Sequence, residues 1–123
     1  MAGKLKSNGA LEMRNDVKQV ANTFLLETYN FNEETRTRLI EKATTEILKN
    51  CQQLLFAISS GEGAAPSKCA HRLKSNLNAL GLVDLAEEAK NIELNNFCSD
   101  KALLCTVTSL CNKITDKFCN IPQ

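Results

Sequence analysis

The sequence predicts an all-α fold: an antiparallel four-helix bundle with an additional N-terminal helix. Three observations lead there. Apolar residues recur at helical spacing in five separate stretches, and none alternates as a strand would. The links between those stretches are short, which favours antiparallel neighbours. Five Gly and two Pro in 123 residues are too few for a turn-rich β-sandwich.

Residues 1–10 are polar with two glycines and are expected to form a flexible segment. Residues 11–123 then form one helical domain, a length at which a single core can be built. The first helix is predicted from about Leu11 to Thr28, with Val17, Val20, Ala21, Phe24 and Leu25 as its apolar face. The stretch Tyr29-Asn30-Phe31-Asn32 breaks it, and Tyr29 and Phe31 are expected to staple the first two helices. Asn32 is the predicted N-cap of the second helix, with Glu33 and Glu34 suited to its positive dipole end. That helix runs to about Ser59 on a stripe of Ile40, Ala43, Ile47, Cys51, Leu54 and Ile58. Arg36, Arg38, Glu41 and Lys42 read as its solvated face, and Phe56 reads as core.

Gly61 and Gly63 stop the second helix. The third opens near Pro66, a residue tolerated in a first turn, and ends at Gly81. Asp84 and Glu87 have capping-box spacing for a fourth helix to about Asn95, with Leu85, Ala86, Ala89 and Ile92 inward. Ser99 caps the fifth, which runs to about Phe118 through Leu103, Val107, Leu110, Cys111 and Ile114. No internal repeat interrupts this plan.

Composition removes several functions. Fifteen basic against fourteen acidic residues give a net charge of +1, without the basic surplus of a general nucleic-acid binder. No run of 18 apolar residues predicts a membrane span, and the first residues lack the apolar core of a secretory leader. The expected location is therefore cytoplasmic and the expected state monomeric. Six cysteines are present without a Cys-x-x-Cys pair, and they read as reduced thiols used as small core residues. The single histidine, His71, excludes multi-histidine metal centres. The Glu-x-x-His pair of di-iron bundles is also absent, because Lys68 stands three residues before it.

His71 lies on the third helix. Ala70, Leu73, Leu77 and Leu80 fall on one side of that helix, and His71 projects roughly 150° away from them at 100° per residue. It is an outward-facing imidazole, accompanied by Ser67, Lys74, Ser75 and Asn78. Between Ala64 and Asn78 the charged residues are Lys68, Arg72 and Lys74, a local sum of +3. Lys74 is one turn from His71 on the same side. A neutral imidazole nitrogen is a nucleophile near pH 7, and an adjacent ammonium can steady phosphoryl oxygens. No Gly-x-x-x-x-Gly-Lys-[Ser/Thr] loop is present to bind ATP. The residues therefore suit holding a phosphoryl group on nitrogen. An ordinary surface histidine is the plain alternative.

The segment His71-Arg72-Leu73-Lys74-Ser75-Asn76-Leu77-Asn78-Ala79-Leu80-Gly81 resembles the His-x-x-Lys-Gly signature of histidine-containing phosphotransfer (HPt) domains. The likeness continues through Leu85, Ala89 and Ile92-Glu93, where the family commonly has Leu-Glu. One position departs: Ser75 stands where the family has Gly. The resemblance implies an HPt-like fold and a phosphocarrier rather than an enzyme. It implies His71 as phosphoacceptor through Nε2, and Lys74 as the charge that offsets the phosphoryl group. Ser75 and Asn78 would line a docking surface, with Ser67, Lys68 and Arg72 at its rim. The partner would be a response-regulator receiver domain, a histidine kinase, or both, and the receiver would bring the Mg²⁺. No cofactor of this chain is implied. Two further readings fit the same residues: a helical adaptor without phosphoryl transfer, and a phosphoacceptor piece of a larger sensor or chemotaxis kinase.

Overall fold

The computed structural model describes residues 12–60, 65–94 and 99–119. The expectations for residues 1–10, Leu11, the glycines at 61 and 63, Asn95 and Cys98 lie outside them. Five helices make up the described chain: α1 (Asn15–Tyr29), α2 (Glu33–Ser60), α3 (Pro66–Ala79), α4 (Val83–Leu94) and α5 (Asp100–Lys117). The all-α prediction holds. One short clasp joins the two ends of this helical set, where β1 (Glu12–Met13) pairs antiparallel with β2 (Phe118–Cys119).

The clasp explains why α1 starts at Asn15 rather than near Leu11. Met13 pairs with Phe118, and both side chains are 1% exposed. The last carbonyls of α5 lack partners within the helix. The Arg14 backbone N–H donates to the Lys117 carbonyl at 2.8 Å, and the Arg14 guanidinium donates to that of Asp116 at 3.1 Å. Burying two large side chains and satisfying two orphan carbonyls outweighs one further helical turn.

On α1, the buried residues are Val17, Ala21 and Leu25, at i, i+4 and i+8. Val20 was expected on that face but is 51% exposed, because it falls about 60° to one side of the stripe. Asn30 ends the helix in the left-handed region (φ 58°), its N–H donating to Leu26 at 2.8 Å. Asn32 caps α2 as predicted, its Oδ1 accepting from the Thr35 N–H at 2.8 Å. Tyr29 and Phe31 stack with centroids 5.0 Å apart, and Phe24 meets Tyr29 edge-on. Arg36 corrects the sequence reading. It is half-buried, donating through Nε to Asn22 Oδ1 (3.0 Å) and through Nη1 to the Phe31 carbonyl (2.7 Å). Its guanidinium thus fastens α1 and the connecting turn to α2.

The α2 stripe is buried at Ile40, Ala43, Ile47, Cys51 and Leu54, and Ile58 is half-buried. Phe56, read as core, is 57% exposed because Ala57 takes the inward position beside it. Asn50 is buried and accepts from Asn76 Nδ2 at 2.8 Å, a polar tie between α2 and α3. Such a bond costs little when made and more when one partner is removed. Helix α2 packs against α1, α3 and α5, and α4 packs against α3 and α5. Lys113 on α5 reaches both oxygens of Glu88 on α4 at 3.1 Å.

Helices α3 and α4 are joined by three residues. The Leu82 N–H returns to the Leu77 carbonyl and the Gly81 N–H to that of Asn78, both at 3.0 Å. This is a Schellman turn, with Gly81 in the left-handed region at φ +76°. It also moves the start of α4. The Leu82 carbonyl accepts from the Ala86 N–H at 3.0 Å, so the helix opens at Val83 and Asp84 lies in its first turn. Asp84 is therefore not the N-cap the capping-box spacing suggested, although it still faces the positive dipole end. Ser99 caps α5 as predicted, its hydroxyl accepting from the Ala102 N–H at 3.1 Å.

Gly81 is constrained twice. A Cβ there would come within 2.5 Å of Phe24 Cγ and 2.8 Å of its Cβ. Gly81→Ala should therefore destabilise the protein by about 2–4 kcal/mol, from left-handed strain plus displacement of the ring. Urea unfolding measures it; an unchanged midpoint would disprove the double constraint.

Candidate functional site

His71 is the sixth residue of α3. Ala70, Leu73 and Leu77 on the same helix, and Leu80 just past its end, are buried as predicted, and this fixes the outward face. The His71 side chain is 58% exposed. Lys68, Arg72, Ser75 and Asn78 are exposed, and Ser67 and Lys74 are half-buried. Ser67, Lys68, Ser75 and Asn78 follow the same side of α3 as His71 at spacings of three, four and seven residues. Ser67, Lys68, His71 and Arg72 line one shallow, open concavity with Glu93 of α4. Ser75 and Asn78 continue along the helix beyond it.

Glu93 is the residue that sequence reasoning did not place. His71 and Glu93 each stand eleven residues from Leu82, so the tight turn at Gly81 folds them onto the same level. Ala89 and Ile92 are buried and rotate α4 so that Glu93 meets α3. Its Oε2 lies 2.8 Å from His71 Nδ1. Its Oε1 is fully buried, and Lys74 Nζ stands 2.8 Å from it as an ion pair off the line of a hydrogen bond. The Lys74 ammonium and then the His71 ring hold the Glu93 carboxyl below its ordinary value, against the opposing effect of desolvation.

A carboxylate can only accept. With Glu93 ionised, Nδ1 of the neutral ring must carry the proton. Nε2 then keeps its lone pair. The arrangement holds one imidazole in one tautomer, with the unprotonated nitrogen being the one Glu93 does not occupy.

The basic stretch read from the sequence is thus modified in space. Glu93 enters among Lys68, Arg72 and Lys74, and takes up Lys74 directly. The exposed cations beside His71 are Lys68 and Arg72. Among the described residues, no group of three His, Cys, Asp or Glu side chains could hold a metal ion. No described helix is long and apolar enough to cross a membrane. Four cysteines are described as free thiols; Cys51, Cys69 and Cys111 are buried, whereas Cys105 is exposed and not core.

No family model, no curated protein and no solved structure matches the chain.

Two measurements check this geometry. In ¹⁵N–¹H spectra, neutral His71 should show a protonated Nδ1 and a bare Nε2, and Glu93→Ala should raise the Nε2–H form. Unchanged tautomer populations in the variant would refute the Nδ1 assignment. The second is pH dependence. The folded-state value of Glu93 lies below the ordinary 4.5, so its stabilising effect is complete above pH 4.5 and is lost as pH falls through the lowered value. Glu93→Gln should therefore lose less stability than the wild type between neutral pH and that acid range.

Proposed function

We propose that this chain is a histidine phosphotransfer protein of the HPt type. In this reading α2 to α5 form an antiparallel four-helix bundle, α1 is the additional N-terminal helix, and His71 carries the phosphoryl group. The observation that carries the proposal is the Glu93 contact to Nδ1, which leaves Nε2 of a half-exposed imidazole as the available nucleophile.

In the forward step, the Nε2 lone pair attacks the phosphorus of an aspartyl phosphate on a receiver domain. The N–P bond forms as the P–O bond to the aspartate breaks, and the aspartate leaves as a carboxylate. The ring then carries positive charge, and the Glu93 carboxylate faces it through Nδ1–H. Any Mg²⁺ would be held by the receiver, where it would supply charge to offset the phosphoryl oxygens. Lys68 and Arg72 supply positive charge around the incoming group. Lys74 holds Glu93 and adds its charge to the same site. The hydroxymethyl of Ser75 is small enough for a partner's surface to come close to the helix, and Asn78 extends that surface by one turn.

The protein is a phosphocarrier in this reading, with the chemistry of activation supplied by a receiver, a histidine kinase, or both. Its place is the cytoplasm, as a monomer that binds neither nucleic acid nor membrane.

Incubation with a ³²P-labelled receiver tests the proposal. Label should move to this chain in an acid-labile, alkali-stable form, and His71→Gln should take up none. Equal labelling of His71→Gln would sink the reading; so would an acid-stable label.

A further inference from the structure

Cys51 and Cys111 are 60 positions apart in sequence and meet inside the core. Cys51 sits on the buried stripe of α2 between Ile47 and Leu54; Cys111 sits on α5 between Val107 and Ile114. Each is 5% exposed. The Cys111 thiol donates weakly to the Cys51 carbonyl, with Sγ 3.9 Å from the oxygen. The neighbouring Cys51 side chain lowers Cys111 from the ordinary thiol value of 9.0, against the opposing effect of burial. Cys51 is pushed up by the neighbouring Cys111 side chain and by burial. One sulfur is thus set to lose its proton first, with a protonated partner thiol beside it.

We propose that Cys51 and Cys111 form an oxidisable dithiol, which a peroxide converts into a disulfide linking α2 to α5. The Cys111 thiolate attacks one oxygen of hydrogen peroxide; the O–O bond breaks, giving a Cys111 sulfenic acid and, after protonation, water. The Cys51 sulfur then attacks the Cys111 sulfur. The S–S bond forms, the S–O bond breaks, and the Cys51 proton leaves with the hydroxide as a second water. Two thiols are oxidised by two electrons and one peroxide is reduced. The closed loop spans both α3 and α4, with His71 and Glu93 inside it. Closing so long a loop restricts the unfolded chain far more than the folded one. The structure provides internal controls. Cys69 is also buried, but on α3, and Cys105 is exposed on the same helix as Cys111.

The test uses the intact chain. It is treated with hydrogen peroxide, its free thiols are blocked with N-ethylmaleimide in denaturant, and it is digested without reduction. Mass spectrometry should find a peptide joining Cys51 to Cys111 that dithiothreitol removes. The oxidised protein should unfold several degrees higher than the reduced one. Cys105→Ser should keep both results, and Cys51→Ala should abolish the thermal shift. The proposal fails if Cys51 and Cys111 are both fully blocked by N-ethylmaleimide while Cys105 is oxidised. It fails equally if Cys51 is linked to other cysteines as often as to Cys111. The wild-type peptide map decides the matter even where an alanine variant does not fold.

Discussion

The arrangement around His71 depends on how α3 turns into α4. Gly81 adopts a backbone conformation that other residues reach only at a cost of about 1–2 kcal/mol. The Phe24 ring occupies the place where a side chain would stand. With the turn fixed at three residues, the pairing of the two helices is fixed as well. Leu77 and Leu80 before the turn, and Leu85 and Ala89 after it, bury their side chains in the same core. A shift of one residue on either helix would swing these positions by about 100° and expose them. Glu93 is held level with His71 by this register, at the far end of α4 from the glycine.

Polar contacts then make the packing specific. The Asn50–Asn76 bond sets α2 against α3, the Arg36 fork sets α1 against α2, and Lys113 reaches Glu88 between α5 and α4. Leucine and alanine faces alone tolerate sliding, because many apolar arrangements bury similar area. A buried amide such as Asn50 does not, since losing its partner leaves a desolvated group. The site gains from this rigidity. A tautomer is selected only if the carboxylate stays within hydrogen-bond distance, and Lys74 keeps Glu93 there through its other oxygen.

Much of the helical layout was legible from local chemistry. Asn32, Pro66, Gly81 and Ser99 mark boundaries because caps and breakers act through the backbone within a few residues. The outward placement of His71 followed from periodicity alone. Features that require distant residues to meet were not legible. The clasp is two residues long on each side and has no repeat to detect. Arg36 looked solvated because its acceptors are the Asn22 side chain and a backbone carbonyl. Phe56 looked buried because hydrophobicity does not say which of two neighbours faces inward. Glu93 was visible as one of several acidic residues on α4, and counting outward from Leu82 would have matched it to His71. The Cys51–Cys111 contact was hidden for a similar reason: each cysteine reads as core on its own helix, and only the packing of α2 on α5 brings them together.

The clasp between Glu12–Met13 and Phe118–Cys119 also governs how the fold responds to tension. A pull that separated residue 12 from residue 119 would open the ladder like a zipper, one rung after another, rather than shearing it. The first rung is Glu12 with Cys119, and the second is Met13 with Phe118. Next would come the bond from Arg14 to Lys117, which joins the start of α1 to the end of α5. Force would thus reach the helices only after the clasp had yielded, and would peel them from their tips. Met13 and Phe118 make this thin seam the mechanical latch of the core.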